Sequence, residues 1–229
     1  VIPKRIRRGI GKPGLTVILG NTKGTLQRNV IEPLQDIWGT ELVSEIKADN
    51  TAYLFGEKCY CLGADNKKHI NKIRGPSFKY CYGDEIATWD EGVFQMLKSR
   101  LDKPYSKFDG TCNPEGPSHW FKKFLDSDAD IYQQKYTLYD NPFLAKEVLQ
   151  ALETEYRGTV FFDRYILGDW KAAKGTIYML FADKTQDFLV DKPTEQLAIV
   201  TIGVDYGAGK SKIKFVASGI TYNFRNVYV

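Results

Sequence analysis

Cysteine and histidine are scarce in this sequence, with four cysteines and two histidines among 229 residues. Four scattered cysteines are too few for the disulfide framework of a small secreted fold, which a chain of this size does not need. Cys59 and Cys61 are two residues apart and would share one face of a strand, but the second cysteine pair of a zinc site is missing. We therefore expect reduced, buried thiols, and we expect neither His69 nor His119 to be a metal ligand.

Long apolar runs are also missing. No stretch approaches the roughly 20 apolar residues that cross a bilayer. The first residues, VIPKRIRRGIGKPG, lack the apolar region of a signal peptide. Both absences argue against membrane insertion and export, so we expect a protein that is soluble and not secreted.

Acidic residues are absent from both ends of the chain. No carboxylate side chain precedes Glu32 and none follows Asp205, while lysine and arginine are present in both stretches. The whole chain carries 32 Lys+Arg against 28 Asp+Glu, a formal charge of +4, and its pI is near 8.7. A charge of this size permits a polyanionic partner such as nucleic acid but does not require one.

The hydrophobic pattern predicts alternating strands and helices up to about residue 140. Short apolar runs that end in glycine or polar turns alternate with stretches whose apolar residues recur at helical spacing. Such alternation is typical of an α/β fold with a largely parallel sheet. The predicted strands cover residues 15–20, 52–55, 58–62, 78–83, 108–112 and 131–138; the predicted helices follow residue 20, with a kink at Pro33, and cover the stretches around 93–101 and 118–125.

The pattern changes at Tyr139-Asp140-Asn141-Pro142. Helical spacing in residues 144–156, a glycine at position 158 and a second apolar stretch at 161–167 predict a small helical connector, which we place at 141–194. Extended apolar runs return at 198–204 and 214–220 and predict two strands of a further unit. Because two strands alone are marginally stable, that unit is either truncated or packed on the rest of the protein.

Two adjacent acids, Asp84 and Glu85, directly follow the predicted strand at 78–83. Ligands of open α/β sheets bind beyond the carboxyl ends of the strands, so these acids could face a bound nucleotide. In such a Walker B element the first acid, Asp84, would hold Mg²⁺, and the second, Glu85, would orient and deprotonate the attacking water. An acid pair at a strand end can also solvate a turn or cap the next helix, and the two residues alone leave both interpretations open.

Three further positions are candidate site residues. Thr111-Cys112-Asn113 lies at the end of the next predicted strand and could contact the γ-phosphate or its water, although Asn-Pro is also a common turn start. Asp205 ends a predicted strand, where a two-metal nuclease presents a carboxylate, but no further acid follows it. Arg74 precedes the strand at 78–83 and could either aim a cation at phosphate or DNA or form a surface ion pair.

A Walker A phosphate loop, GxxxxGK[ST], is not found in the sequence. The only candidate, residues 9–13, lacks a first glycine at the right offset and the Ser/Thr that would meet Mg²⁺. We therefore reject it as a phosphate loop and expect it to be a turn before the strand at 15–20.

The order and spacing of these motifs resemble the large terminase subunit of tailed bacteriophages and prophages, the DNA-packaging motor. YCYGDEIATWDEGVFQMLKSRL resembles the family's Walker B strand and following helix, and DGTCNPEGPSHWFKKFL resembles its coupling motif. YDNPFL through YRGTVFFDRYILGDWKAAKGTIYMLF resembles its linker, and IGVDYGAGKSKIKFVASGI resembles the opening of its nuclease domain. The linker is the most telling match, because NP, a helix, YxG and RxxxGxW do not form a generic ATPase pattern.

This resemblance implies a RecA-like ATPase domain at 1–140, a linker at 141–194 and the first strands of an RNase H-like nuclease domain at 195–229. It implies that Asp84 binds Mg²⁺ at the ATPase site, that Glu85 activates water and that Asp205 binds Mg²⁺ or Mn²⁺ at the nuclease site. Thr111, Cys112 and Asn113 match the coupling element. The Walker A loop would precede residue 1 and the later nuclease acids would follow residue 229, so we expect a central portion of a longer protein.

The resemblance further implies an enzyme that uses ATP with Mg²⁺ to drive double-stranded DNA into a procapsid and that cuts concatemeric DNA. Its partners would be the portal protein, the procapsid and the small terminase subunit, with a homo-oligomeric ring during packaging, in the host cytoplasm and away from membranes. Two other classes stay open. A helicase-like nucleic-acid ATPase would share the acid pair and a coupling motif but not the linker, and a non-catalytic nucleic-acid or capsid-assembly module would fit the missing phosphate loop and the basic ends.

Overall fold

The computed structural model describes residues 1–173, 184–205 and 214–229. The chain forms two compact units, Val1–Asp183 and Lys184–Val229. The first unit contains a five-stranded sheet and the second a three-stranded sheet.

The sheet of the first unit is largely parallel, as the alternating pattern predicted. Its strands are β1 (Leu15–Gly20), β2 (Thr51–Leu54), β3 (Glu57–Gly63), β4 (Phe78–Gly83) and β5 (Lys107–Gly110). The order is β2-β3-β1-β4-β5, in which β3, β1, β4 and β5 are parallel and β2 pairs antiparallel with β3. Five of the six residues of the central strand β1 are buried, as expected of a strand that is covered on both faces.

Helices cover both faces of this sheet. The described residues of the first unit form the α-helices α1 (Ile2–Gly9), α2 (Lys23–Leu26), α3 (Glu32–Trp38), α4 (Ile70–Ile73), α5 (Glu91–Arg100), α6 (Trp120–Leu125) and α7 (Lys146–Tyr156). One buried cluster joins Ile6 of α1 to Ile18 of β1, and the other joins Phe94 of α5 to Leu19 of β1. Ile18 and Leu19 separate in this way because successive side chains of a strand point to opposite faces. No helix in the described part of the chain is long and apolar enough to cross a membrane.

The helix that follows β1 is irregular before Pro33, where the sequence predicted a kink. A π-helical turn, Gln27–Ile31, separates α2 from α3, and Pro33 lies in the first turn of α3. Proline has no N–H to donate to the preceding turn, so a change of hydrogen-bond register at this point is expected. Asn29 lies within this π-helical turn.

The predicted hairpin is confirmed as β2 and β3. Its two turn residues, Phe55 and Gly56, have φ angles of 52° and 84°, and positive φ at both positions is typical of a type I′ turn. Cys59 and Cys61 of β3 lie in the same buried cluster. Cys59, Cys61 and Cys81 are buried, as predicted, whereas Cys112 is only half-buried.

The predicted strand at 131–138 is wrong. These residues pair with no strand in the described chain and end in a 3₁₀ turn, Leu138–Asp140. Tyr132 and Tyr136 are 84% and 66% exposed, so neither aromatic ring supplies the buried face that a strand needs. The aromatic residues of this stretch therefore gave a false strand signal.

The connector begins with α7, which matches the predicted helix, and Gly158 follows it with a φ of 77°. The second predicted helix is present as a π-helical segment, Phe162–Ile166. The second unit contains α8 (Thr185–Phe188), β6 (Leu197–Asp205), β7 (Lys214–Thr221) and β8 (Val227–Tyr228). Its strands form an antiparallel sheet in chain order, so the two predicted strands are confirmed and a short third is added.

Each parallel strand of the first sheet ends in a glycine: Gly20, Gly63, Gly83 and Gly110. A Cβ atom at Gly83 would lie 2.7 Å from Cη2 of Trp89 and 3.0 Å from Cγ1 of Ile86. Both of those side chains are buried. The loop after β4 therefore lies directly against the carboxyl edge of the sheet, in space that a side chain would otherwise occupy.

The Gly83→Ala substitution should lower the free energy of unfolding by about 1–3 kcal/mol, the usual cost of overpacking a filled core. Urea unfolding measures this change. Gly24→Ala is the matched control, because a Cβ there would contact only Oγ1 of Thr22, at 3.9 Å, within a helix. That variant should be as stable as the parent or slightly more stable, and equal losses in both variants would contradict the proposed crowding at Gly83.

Candidate active site

Three of the predicted site residues, Asp84, Glu85 and Thr111, lie together at the carboxyl ends of β4 and β5. These strands are parallel, with Gly83 beside Gly110. Their pairing continues past the last glycine, because the N–H of Thr111 donates to the carbonyl of Gly83 at 2.9 Å and the N–H of Ile86 donates to the carbonyl of Thr111 at 2.9 Å. Asp84 and Thr111 therefore lie side by side although 27 residues separate them in sequence.

Asp84 is the most enclosed acid of this edge, with 9% of its surface exposed. Its N–H donates to the carbonyl of Leu19 at 2.8 Å. Its carboxylate accepts two long hydrogen bonds, from Nδ2 of Asn29 and from Oγ1 of Thr111, both at 3.4 Å. Burial raises the pKa of Asp84 above its ordinary value, and the two hydrogen bonds oppose that rise because they favour the ionised form. The two hydrogen bonds hold the carboxylate in place, but because they are long they replace only part of the hydration that burial removes.

Glu85 adopts a left-handed backbone conformation, with φ 49° and ψ 51°. This conformation is uncommon for a residue with a side chain and is found where the surrounding structure imposes it. Here both the N–H and the hydroxyl of Thr88 donate to the carbonyl of Glu85 at 2.8 Å. The indole Nε1 of Trp89 donates to the carbonyl of Asp84 at 2.9 Å in a buried hydrogen bond. These contacts fix the turn that places two acids next to each other at the strand end.

Three residues near the acids were not singled out from the sequence: Asn29, Tyr82 and Asp109. Tyr82 is opposite Asp109 in the strand register and lies two residues before Asp84. Burial is the main cause of the raised pKa of Tyr82, and the carboxylates of Asp84 and Asp109 add to it. Asp109 accepts two hydrogen bonds from the guanidinium of Arg5, at 2.7 and 3.0 Å. Of these residues, only Asp109 could have been found from the sequence, because it lies in the predicted strand that follows the acid pair. Nothing in the sequence links Arg5 to Asp109 or Asn29 to Asp84.

The other predicted residues lie at different places. In the Thr111-Cys112-Asn113 element only Thr111 contacts Asp84: Cys112 packs against the second buried cluster, where burial raises its pKa to about 11, and Asn113 is exposed. Arg74 is exposed and precedes the amino end of β4, whereas Asp84 follows the carboxyl end, so the structure does not bring the two together. Asp205 is the last residue of β6, in the second unit, where it is opposite Lys214 in the strand register.

The residues of this edge fit a magnesium–nucleotide complex better than a protein-only metal site. Within the described residues there is no group of three His, Cys, Asp or Glu side chains that could hold a metal ion. Mg²⁺ at nucleotide sites is typically bound by one or two carboxylates, with phosphate oxygens and water completing its shell. Asp84 is the carboxylate of this edge that could meet this requirement, with Glu85 next to it and the Thr111 hydroxyl on its oxygen. The Nδ1 atom of His69 lies 3.0 Å from a carboxylate oxygen of Asp65, and the side chain of His119 caps the amino end of α6.

The family model and the solved structures that match this chain point to one family. A family model described as "Terminase large subunit, T4likevirus-type, N-terminal" matches residues 10–182, so the chain belongs to the large terminase subunit family. Because that model describes an N-terminal region, the prediction of a central portion is wrong for these residues. A search of curated proteins gives no match.

Solved structures of the large terminase from a thermophilic bacteriophage are similar to this chain. One crystal form is 30% identical, with a TM-score of 0.64 over 93% of this chain and 54% of that chain. The complex with ADP is 28% identical, with a TM-score of 0.64 over 96% and 56% of the two chains. The complex with ATP-γ-S is also 28% identical, with a TM-score of 0.60 over 96% and 55%. The chain therefore spans about half of the length of the solved terminases that it matches.

The Asp84→Asn substitution should stabilise the metal-free protein at pH 7. Because burial raises the pKa of Asp84, the folded state binds its proton more tightly than the unfolded chain does. The stability that this proton contributes is present at low pH and is lost as the pH rises through the raised pKa. Asparagine keeps the shape without the charge, so its advantage in free energy of unfolding should be largest at neutral pH. The advantage should shrink as the pH falls toward 3, because Asp84 then becomes protonated in both states.

Urea unfolding in EDTA between pH 3 and pH 7 measures this advantage. Asp109→Asn is the matched control, because it breaks the ion pair with Arg5 and should lower stability at neutral pH instead. An advantage of Asp84→Asn that stayed constant across the pH range would contradict the raised pKa.

Proposed function

We propose that the first unit is the ATP-hydrolysing part of a DNA-packaging motor, with a RecA-like sheet and its hydrolytic site at the carboxyl ends of β4 and β5. The observation that carries this proposal is the enclosed carboxylate of Asp84, held by Thr111 from the neighbouring strand. Family membership supports it, as do the two bacteriophage terminase structures that contain ADP and ATP-γ-S.

In this proposal, Mg²⁺ bound with ATP neutralises charge on the phosphates, which is the main requirement of phosphoryl transfer. Asp84 would hold the ion directly or through water, since its carboxylate already lies at the strand end with one oxygen toward Thr111 and the other toward Asn29. Glu85 would orient and deprotonate the attacking water. The left-handed conformation of Glu85 turns the chain directly after the strand end, so that the two acids stand next to each other there.

Thr111 would report the state of this site to the rest of the chain. Its hydroxyl contacts Asp84 while its main chain bonds to both Gly83 and Ile86. A change in the charge around Asp84 therefore acts directly on the segment 111–113, which we propose as the coupling element. Cys112 and Asn113 would take part through the movement of this segment, because neither contacts Asp84 in the structure.

The substrate of the motor would be double-stranded DNA, moved into a procapsid in the host cytoplasm. The partners would be the portal protein and the small terminase subunit, and the motor would act as a homo-oligomeric ring. Helix α1 offers Lys4, Arg7 and Arg8 to solvent, and the region before Glu32 has no carboxylate to offset them. Such a surface favours a polyanionic partner.

The second unit would begin an RNase H-like nuclease that cuts concatemeric DNA with Mg²⁺ or Mn²⁺. The support is the position of Asp205 at the end of β6, the first strand of an antiparallel sheet. Two-metal cleavage needs several carboxylates, and residues 206–229 contain none. Further ligands would have to come from other parts of the protein.

The Glu85→Gln substitution tests the hydrolytic site in the native-length polypeptide. It keeps the shape and removes the proposed base, so DNA-stimulated ATP hydrolysis should fall by about 10² or more. Phosphate release at saturating ATP and Mg²⁺ measures the rate. Glu91→Gln is the matched control, because Glu91 is an exposed acid of the first turn of α5, and its loss should leave the rate within about twofold.

An inert parent, or a Glu85→Gln variant as active as the parent, would overturn the assignment of Glu85. The non-catalytic nucleic-acid or capsid-assembly module would then account better for the basic N-terminal helix. Loss of activity in both glutamine variants would point to a general effect of charge on this surface rather than to a base.

The Asp205→Asn substitution tests the proposed nuclease independently. In the native-length polypeptide it should lower cleavage of supercoiled plasmid by at least about 10² and leave ATP hydrolysis unchanged, because the two sites belong to separate units. Gel electrophoresis after incubation with Mg²⁺ or Mn²⁺ measures the cleavage. Full plasmid cleavage by the variant would show that Asp205 is not a metal ligand.

A further inference from the structure

The segment that follows the coupling element is hydrogen-bonded to the connector at Glu115. The carboxylate of Glu115 accepts from Nη1 of Arg164 at 2.8 Å, and its carbonyl accepts from the N–H of Lys171 at 3.1 Å. Glu115 is therefore held through both its side chain and its main chain. Both holding residues belong to the connector, about 50 residues further along the chain and in the same compact unit.

Arg164 makes three hydrogen bonds at this attachment, and its side chain is enclosed, with 13% of its surface exposed. Besides the bond to Glu115, its Nε and Nη2 donate to the carbonyl of Lys171 at 2.9 and 2.8 Å. One planar guanidinium thus joins Glu115 to Lys171, a geometry that the single ammonium of lysine cannot reproduce. Arg164 lies in the π-helical segment Phe162–Ile166, and such segments are frequent at functional sites.

A second contact holds the same loop at its other end. The ring of His119 lies 5.8 Å from the ring of Trp170, the residue before Lys171. Burial lowers the pKa of His119, and the nearby carboxylate of Glu115 opposes that lowering. The loop between residues 113 and 119 is therefore held by the connector at both of its ends.

The distance in sequence from this attachment to the site is short. Only Cys112, Asn113 and Pro114 lie between Thr111 and Glu115, and proline restricts the backbone of that stretch. The hydroxyl of Thr111 contacts Asp84 at 3.4 Å, which is long for a hydrogen bond. A displacement of Glu115 would therefore reach Thr111, and its contact with Asp84, through only three residues.

We propose that Arg164 is a positioning residue for ATP hydrolysis, which holds Glu115 so that Thr111 stays aimed at Asp84. This inference rests on the proposed function, because it concerns the rate at that site. It makes the connector part of the hydrolytic machinery: movement of Arg164 relative to Glu115 would switch the site between an aligned and a misaligned state.

The test uses Arg164→Lys and Glu115→Gln in the native-length polypeptide. Arg164→Lys keeps the charge but loses the planar set of donors, so kcat for ATP hydrolysis should fall by about tenfold while KM for ATP stays within about twofold. Glu115→Gln keeps an oxygen that can accept from Arg164, so its loss of kcat should be no more than about threefold. Rates measured well below the thermal transition of each variant separate this effect from unfolding.

A second readout does not depend on hydrolysis. Amide hydrogen exchange of residues 111–116 should be faster in Arg164→Lys than in the parent, because the segment loses its attachment. Lys135→Gln is the matched control, since it removes an exposed ion pair with Asp169 in the same connector without touching Glu115. That variant should keep both the parent kcat and the parent exchange rates.

Parent-like kcat in Arg164→Lys, or unchanged exchange of residues 111–116, would overturn the proposed role. Equal losses in Lys135→Gln would also overturn it, because any disturbance of the connector would then have the same effect. An inert parent would overturn the proposed function and with it the role of Arg164 in hydrolysis; the exchange data would still show whether Arg164 holds the segment.

Discussion

At the end of β4 there is no room for a side chain at position 83. The indole of Trp89 and the side chain of Ile86 occupy that space, and the hydrogen bond from Trp89 to the carbonyl of Asp84 closes the turn over it. This close approach lets Thr111 pair with Gly83 and Ile86 together. The left-handed conformation of Glu85 and the contact between Thr111 and Asp84 both depend on it.

Burial of the Asp84 carboxylate lowers the stability of the fold, and its hydrogen-bond partners only partly compensate for this. Asp84 is buried, and the two hydrogen bonds to its carboxylate are long. An ionised carboxylate in such a place lowers stability unless a cation compensates it. The ion pair of Arg5 with Asp109 shows the opposite arrangement on the neighbouring strand, where a carboxylate is fully matched by a guanidinium. A residue kept at a cost is expected where function requires it.

Much of the fold could be predicted because its elements have strong local signals. The strands at 15–20 and 78–83 are compact apolar runs that end in glycine, and the hairpin turn at Phe55 and Gly56 falls between two alternating runs. The stretch at 131–138 misled the prediction because aromatic residues favour strands only when a partner and a core are present. Local pattern also could not distinguish an α-helix from the π-helical turns at 27–31 and 162–166, since both bury similar residues.

The family, the acid pair and the neighbouring threonine could be identified from the sequence alone, because each is defined by residue types that occur in a fixed order along the chain. The partners of those residues, by contrast, follow from the tertiary fold. Asn29 reaches Asp84 from a helix 55 residues earlier, and Arg164 reaches Glu115 from 49 residues later. No local pattern encodes such contacts, because they arise only when the parallel sheet brings the ends of distant strands to one edge and the connector packs beside them.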